Sequence, residues 1–387
     1  MTILVKVVHL KSIMMQEKSL QIVSFDNPFP PQYGGVIEVF YKIKALYQLG
    51  YTIHLHCFVN QLPEKESILS QYVSKIYFYK NRKTLLRFFT IIPFSVGYRD
   101  DKELLVNLNK SNAPIIFESL KTTFLVNKTD FKQKIILRLH NIEHQYFLGI
   151  SKSESNFFFK ALFYIESLKY KRYESLISKF DALSTLSVYE TNYLNTTYKN
   201  AYYTPVFHGN NVVKSLSEFG EYAIYNGDLR TADNRKAVLF LIEVFKEIDD
   251  YNLIIVASDG QKWVENLIKG VENIHFTKMK DFEHLKDLLS LAHINIMLSF
   301  QQSGTKLKLI NALYNSRHCL INSNMIDDER ILNLCVLANS KDDFKKEISV
   351  LRTTSYVDFD KREKILNSVL NDEVNATSLM AIINNLI

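Results

Sequence analysis

The sequence predicts an α/β protein made of two Rossmann-like, doubly wound domains that face each other across a cleft. From residue 20 onward, short apolar runs alternate with polar loops and helical periods, which is typical of βα units and a parallel sheet. After a segment at 207–221 that contains Gly, Asn and Ser, the same series starts again. The 387 residues are enough for two such domains.

The first series begins with a buried strand and a helix. Apolar residues at helical spacing between Val36 and Tyr47 predict that helix, and Gly50 ends it. A longer helical stretch is expected at 156–179. The predicted strands of this half are 20–25, 53–58, 114–119, 135–139 and 182–187.

The second series repeats this order. Its predicted helices are 236–248 and 305–315, and its predicted strands are 223–227, 253–260, 294–300, 318–322 and 335–338. We therefore expect an N-terminal domain at 1–206, a linker at 207–221, a C-terminal domain at 222–373 and a helix at 374–387 that returns toward the first domain. Two such domains create a cleft outside the carboxyl ends of their strands, which is the default ligand site.

Composition excludes several classes of protein. A net charge of +6 over 387 residues is too mild for a dedicated nucleic-acid binder. No stretch of about 20 apolar residues is present that could span a membrane. Three distant cysteines without a CxxC pair fit a reducing cytoplasm. The N-terminus lacks the features of a signal peptide. Met14 and Met15 stand just ahead of the first predicted strand, so either the true start lies there and residues 1–14 are an upstream extension, or residues 3–9 form a short extra strand.

No GxxxxGK or GxGxxG motif occurs, so the sequence lacks the main evidence that would indicate a P-loop enzyme or an ordinary dinucleotide oxidoreductase.

Gly34 and Gly35 follow a Pro-rich loop and open a helix. Without side chains, they would let a phosphate approach the N–H groups of the helix N-terminus. A tight turn would explain the same two glycines.

The segment 303–308 joins a strand end to a helix start. Gly304 allows close approach, Thr305 can cap the helix, and Lys306 can supply positive charge to a diphosphate. We expect Lys308 to point to a different helix face. A capped surface helix with solvated lysines is the alternative.

His140, Glu143 and His144 match the HxxEH pattern of inverted zinc peptidases. That pattern belongs inside a helix, whereas here it directly follows a predicted strand. A histidine that faces a sugar in the cleft fits this position better, and a buried hydrogen-bonded histidine is the plain structural explanation. Glu166 and Glu174, on the next predicted helix, are expected to be solvated.

Two segments, 80–99 and 156–173, interleave basic and aromatic residues. This composition suits the interface of a membrane that carries anionic lipid. An aromatic core face with solvated basic residues opposite would give the same pattern.

Six segments match a known family in their order along the chain: the loop with Gly34 and Gly35, LYQLGY (46–51), RLHNIEH (138–144), ESLKYKRYE (166–174), YNGDLRTADNRKA (225–237) and SGTKLKLINAL (303–313). Together they resemble glycosyltransferase family 4, a group of GT-B enzymes, between about residues 20 and 350. The resemblance implies a retaining glycosyltransferase of the hexosyltransferase type that needs neither a metal nor a cofactor. Its donor would be a nucleotide diphosphate sugar, such as a UDP- or GDP-sugar. The acceptor would be a glycan or a lipid-linked molecule, in cytoplasmic surface-polysaccharide synthesis at the inner face of the cell membrane.

The resemblance also implies roles for single residues. The acceptor would bind mainly the first domain and the donor mainly the second. His140 would be the catalytic residue that contacts the transferred sugar, with Asn141 and Glu143 as polar neighbours. The donor phosphates would be bound by Gly34, Gly35, Gly304, Thr305 and Lys306.

The sequence departs from the family pattern at the donor site. Asn311 and Ser303 stand where two acids are usual, the first of which binds the donor ribose. Asp228 and Asn234 replace an expected Arg and Lys. The negative charge of the donor phosphates would then have to be neutralised by the nearby cations Arg230, Arg235 or Lys236. A binding or scaffold protein that kept the GT-B fold and lost donor chemistry is therefore the alternative function.

Overall fold

The computed structural model describes residues 18–63, 68–154, 156–301 and 306–386. It confirms the predicted fold class: two parallel sheets, each covered by helices, form two α/β domains. The proposed extension at 1–14 and the alternative strand at 3–9 lie outside the described residues, as do Ser303, Gly304 and Thr305.

The described part of the first domain contains a seven-stranded sheet of order β3-β2-β1-β4-β5-β6-β7. Its strands are β1 (Ser19–Ser24), β2 (Thr52–Val59), β3 (Lys75–Lys80), β4 (Ile115–Glu118), β5 (Ile135–Leu139), β6 (Ala182–Thr185) and β7 (Ala201–Tyr203). Its helices are α1 (Gly34–Gln48), α2 (Phe94–Gly97), α3 (Lys102–Leu108), α4 (Glu143–Ser153), α5 (Phe157–Tyr173) and α6 (Val188–Asn195), with 3₁₀ turns at Ile68–Gln71, Leu85–Phe89, Leu120–Thr122 and Glu174–Lys179.

The second sheet, as far as the structure describes it, has six strands in the order β10-β9-β8-β11-β12-β13. The strands are β8 (Ala223–Asn226), β9 (Leu253–Ala257), β10 (Ile274–Lys278), β11 (Ile294–Met297), β12 (His318–Ile321) and β13 (Val336–Leu337). The helices are α7 (Ala232–Phe245), α8 (Gln261–Leu267), α9 (Phe282–Leu291), α10 (Leu307–Asn315), α11 (Glu329–Leu332), α12 (Lys341–Leu351), α13 (Phe359–Val369) and α14 (Asp372–Asn384).

Helix α1 shows how the sequence pattern becomes packing. Val36, Val39, Ile43 and Leu46 recur at helical spacing and are all buried against the first sheet. The helix ends before Gly50, which has a positive φ of 83° that glycine adopts without steric cost. Strands covered on both faces consist mainly of apolar residues, which explains why their sequences read as nearly continuous apolar runs.

Helix α14 packs against α1 of the first domain, and Leu379 and Ile383 belong to that domain's core. The segment 207–221 begins inside the protein, since Phe207 is fully buried. The Asp372 carboxylate accepts hydrogen bonds from the backbone N–H groups of His208 (3.0 Å) and Gly209 (2.8 Å). The start of the connection between the domains is therefore tied to the N-terminus of α14.

No helix in the described ranges has both the length and the apolar character that crossing a membrane would require. The longest, α5, has 17 residues.

Glu166 on this helix and Glu174 just after it are buried. The expectation that both are solvated is therefore wrong: Glu166 accepts a hydrogen bond from the Phe94 N–H (2.6 Å), and Glu174 pairs with His144 (2.6 Å).

Candidate active site between the two domains

The strand order of each sheet reverses between its first and fourth strands, at β1/β4 and at β8/β11. Loops at the carboxyl ends of such strands diverge and leave a crevice for ligands. Here the loops from both domains line two cavities of about 770 Å³ and 280 Å³. Tyr146, Gln301 and Lys306 line both, so the cavities adjoin.

The smaller cavity lies mainly against the first domain and is lined by Gly34, Gly35, His140 and Asn141. A Cβ atom on Gly34 would lie 3.5 Å from Leu307 of the second domain. A Cβ on Gly35 would lie 2.7 Å from the Phe25 ring, so a side chain there would displace Phe25. The two glycines thus allow close packing around the cavity.

His140 follows β5 and is buried except for 9% of its surface. Its Nε2 lies 2.9 Å from Oε2 of Glu118, the last residue of the neighbouring strand β4. Its ring packs edge-on against Phe25, with 5.4 Å between the centroids. The carboxylate and the Phe25 ring together orient the imidazole at the cavity wall.

A buried network of charges supports this histidine. Lys42 of α1 contacts Glu118 (2.6 Å) and Glu38 (3.2 Å), and Arg138 donates from Nε to Glu38 (2.9 Å). Burial alone would raise the pKa of both carboxyl groups, but the nearby cations outweigh it. Arg138 and Lys42 lower the pKa of Glu38 to about 2, and Lys42 and His140 hold the pKa of Glu118 below its usual value.

Glu38, Glu118 and His140 bring one potential metal ligand each within 4.8 Å of one another. Lys42 and Arg138 already pair with these carboxylates, so the donor set suits a salt-bridge network better than a metal ion. The HxxEH pattern does not form one site either, because His140 bonds to Glu118 while His144 bonds to Glu174.

The larger cavity lies against the second domain, at the N-termini of α7 and α10. Each helix presents backbone N–H groups and the positive end of its dipole there. Two carboxylates, Glu154 and Asp233, also line this cavity. They are outnumbered by five cationic side chains, which are Arg230, Arg235, Lys236, Lys306 and Lys308.

The two arginines predicted to bind phosphate both lie on this cavity and both have protein partners. Arg230, with 71% of its side chain exposed, donates two hydrogen bonds to Asp228 (2.9 and 2.7 Å). Arg235 donates to the carbonyl of Leu229 (2.7 Å). Lys236, with its Nζ 4.0 Å from the centroid of the Phe300 ring, extends along the same wall.

Lys306 and Lys308 both line the larger cavity, so the expectation that Lys308 points elsewhere is wrong. Helix α10 begins at Leu307 instead of at residue 305, and the lysines therefore flank its first residue. The Lys308 Nζ donates to Asn234 Oδ1 (3.2 Å) and to the carbonyl of Leu298 (3.3 Å). Burial lowers the pKa of Lys308 to about 8 and also lowers the pKa of Lys306.

Of the predicted site residues that the structure describes, two do not line either cavity. The Oδ1 of Asn311 accepts a hydrogen bond from Asn210 (2.9 Å). Glu143 is buried and accepts a hydrogen bond from the Ser119 hydroxyl (2.8 Å), with Lys121 at 3.3 Å. Asn311 thus contacts the connection between the domains, and Glu143 holds the loop at Ser119, which lines the smaller cavity.

Sequence reasoning missed several residues of the site. Glu118 ends a predicted strand, and that position could have indicated it. Lys42 and Arg138 gave no such signal, because their partners are distant in the chain. Asp233, Tyr146 and Gln301 lie in helices or loops whose approach to the cleft depends on the tertiary fold.

Residues 220–351, which contain the cations of the larger cavity, match the sequence profile described as Glycosyl transferases group 1. The second domain is a group 1 glycosyltransferase domain. A Klebsiella pneumoniae protein described as an uncharacterized 44.6 kDa protein in the cps region resembles the chain over both domains. The two are 24% identical over an alignment of 322 residues, which covers 76% of this chain and 80% of that protein.

Solved structures resemble nearly the whole chain. A sucrose-phosphate synthase from Thermosynechococcus elongatus superposes with a TM-score of 0.67 at 14% identity, over 95% of this chain and 99% of that one. An Escherichia coli protein described as trehalose-6-phosphate bound with UDP-2-fluoro glucose gives a TM-score of 0.62 at 9% identity, over 95% and 98% of the two chains. At these identities the likeness establishes the fold, which is GT-B.

Proposed function

We propose that the protein is a retaining glycosyltransferase that moves a sugar from a nucleoside diphosphate sugar to a hydroxyl group of a glycan or lipid-linked acceptor. The group 1 domain, the GT-B fold and the structural neighbour described with bound UDP-2-fluoro glucose support this activity. The relative from a cps region supports a role in polysaccharide synthesis, which we place on the cytoplasmic side of the cell membrane.

The observation that carries the proposal is the meeting of two unlike cavities at Lys306. On one side, two helix N-termini and five cations suit a diphosphate. On the other side, His140 and Asn141 offer polar groups to a sugar. A nucleotide sugar has the same two halves, an anionic diphosphate joined to a neutral hexose.

In the proposed reaction, the bond between the anomeric carbon and the diphosphate breaks while the acceptor oxygen attacks from the same face. Backbone N–H groups of α7 and α10 and the Lys306 ammonium would stabilise the negative charge that grows on the leaving group. The leaving phosphate would accept the acceptor's proton, so the step needs no dedicated side-chain base. His140, oriented by Glu118, would hold a sugar hydroxyl in position.

A binding or scaffold protein that has lost donor chemistry is the second candidate. The interactions of Asp228 and Asn234 favour it, since both residues engage cations that a donor would need. Asp228 pairs with Arg230, and Asn234 accepts a hydrogen bond from Lys308.

Calorimetric titration with UDP, GDP and ADP, each compared with its monophosphate, separates the two candidates. We expect one diphosphate to bind more tightly than its monophosphate, and the corresponding nucleotide sugar to be slowly hydrolysed when no acceptor is present. If none of the three diphosphates binds, the transferase proposal fails. Binding without any hydrolysis or transfer would favour the second candidate.

A further inference from the structure

Two segments of the first domain expose an unusual number of large apolar side chains. In the turn at 85–91, Leu85, Leu86, Phe89 and Ile91 are each between 67% and 87% exposed. In α5, the exposed apolar residues are Phe157, Phe158, Phe159, Tyr164, Ile165 and Leu168. We call these ten residues together the apolar platform.

The two parts of the platform are fixed next to each other. The Lys169 Nζ of α5 donates to the carbonyl of Phe88 in the turn (2.6 Å). The carboxylate of Glu166 accepts from the N–H of Phe94, just beyond the turn (2.6 Å), and the hydroxyls of Ser95 and Tyr170 are hydrogen-bonded. The platform is therefore one surface, held by polar groups beneath it.

Helix α5 is apolar on two opposite sides. Phe157, Tyr164, Ile165 and Leu168 are spaced so that they share one helix face, which is exposed, while Tyr170 is buried on the other side. A surface helix of a globular protein ordinarily carries polar residues on its outer face. A contiguous exposed apolar surface of this kind marks a site of interaction.

The charges around the platform are positive. Arg82, Lys83, Lys160 and Arg172 are exposed, and segments 80–99 and 156–173 contain a single acid, the buried Glu166. The basic set is smaller than the sequence suggested, because Arg87 pairs with Asp100 and Lys169 is held by the Phe88 carbonyl. Arg82 also pairs with Asp101 (3.3 Å), although 59% of its side chain is exposed. What remains is an apolar surface with basic residues around it.

We infer that the apolar platform docks on an anionic lipid bilayer. Phe and Leu side chains would enter the boundary between headgroups and acyl chains, and the basic residues would meet anionic headgroups. A second copy of the chain fits this surface less well, because a two-fold contact would place like positive charges against each other. Helices α4 and α5 also line the larger cavity through Tyr146, Ile150 and Phe163, so docking would bring the cleft close to the bilayer.

Vesicle sedimentation tests the inference. The full chain should sediment with phosphatidylcholine vesicles that contain phosphatidylglycerol, release with added salt, and bind pure phosphatidylcholine much more weakly. The variants Phe89→Glu and Arg82→Ser/Lys83→Ser should each weaken binding by about tenfold or more. Val357→Glu, at an apolar residue of the second domain that is 72% exposed, is the matched control and should bind like the parent.

A fluorescence experiment gives an independent reading. The single native tryptophan, Trp263, lies in the second domain. With brominated lipid in the anionic vesicles, a Phe158→Trp variant should be quenched, while the parent, which carries Trp263 alone, should not. Equal quenching of both proteins would contradict docking through the platform.

Three results would overturn the inference: no binding to anionic vesicles, binding that Phe89→Glu leaves unchanged, or a dimer that Phe89→Glu dissociates while vesicle binding is absent. The docking inference does not rest on the proposed function. A thermal unfolding midpoint like that of the parent shows that each variant is folded. If the folded parent does not bind anionic vesicles, the docking inference fails whatever the outcome of the nucleotide titrations.

Discussion

The two walls of the cleft handle charge in opposite ways. On the first-domain wall, Glu38, Lys42, Glu118 and Arg138 are almost completely buried, and they pair with one another. On the second-domain wall, five cations surround a cavity of about 770 Å³ at two helix N-termini. The first wall is therefore organised by the protein itself, whereas the second presents positive charge to a ligand. Changes on the first wall should affect stability and turnover, and changes on the second should affect donor binding.

The largest effect is expected from Lys42→Met. This change leaves the Glu38 and Glu118 carboxylates buried without the cation that bridges them. Removing one partner from a buried ion pair typically costs about 3–5 kcal/mol. Urea denaturation should show a loss of this size. Lys44→Met, two residues along the same helix and only half-buried, is the control and should be nearly neutral.

The same wall should make the protein sensitive to acid. The pKa of Glu38 lies at about 2, below its ordinary value of 4.5, so its ionised form stabilises the folded state. That stabilisation is complete above pH 4.5 and is lost as the pH falls toward about 2. The thermal midpoint should fall across this window, and less steeply in Glu38→Gln. Equal slopes would contradict the role of Glu38.

The second wall should make binding sensitive to alkali. Lys308 has a pKa of about 8 in the free protein because it is buried. A bound diphosphate would raise that pKa, so the complex would hold more protons than the free protein above pH 8. Affinity should then fall by up to about tenfold for each pH unit above this value. Lys308→Met should reduce the dependence, and the part that remains is expected from Lys306, whose pKa burial also lowers. A slope that is unchanged in this variant would contradict the role of Lys308.

The smallest effect on the second wall is expected from Arg230→Ala. This side chain is largely exposed and already pairs with Asp228, so its net attraction for a phosphate is weak. Diphosphate affinity should change only slightly. Asp228→Ala should tighten binding, because it releases Arg230. Should Arg230→Ala weaken binding as much as Lys306→Ala, Asp228 would not control that arginine.

The sequence predicted the fold from its central strands and missed three others. Strands β1, β4, β5 and β11 are buried on both faces and read as apolar runs. The missed strands, β3, β7 and β10, all lie at sheet edges. Because an edge strand is partly exposed, its sequence mixes polar and apolar residues, as in KIYFYK.

The site was predictable only where a residue's position follows from local order. His140 and Asn141 directly follow a strand, so their place at the cleft could be read from the sequence. The partners of His140 could not, because Glu118 and Lys42 meet it through strand order and helix packing. Lys308 was misjudged because the start of α10 lies two residues later than its sequence pattern predicts.

The central claim is that the second-domain wall binds the donor diphosphate while His140 acts on the sugar. Calorimetry with the tightest-binding nucleoside diphosphate tests it, with Lys306→Ala and His140→Ala compared to the parent. Lys346→Ala, at a lysine 76% exposed on α12, is the control for the charge change. A charge-assisted hydrogen bond contributes about 1.5–3 kcal/mol, so Lys306→Ala should bind about tenfold to a hundredfold more weakly. His140→Ala and Lys346→Ala should bind the diphosphate like the parent. The claim would be contradicted if Lys306→Ala bound like the parent, or if His140→Ala lost as much affinity as Lys306→Ala.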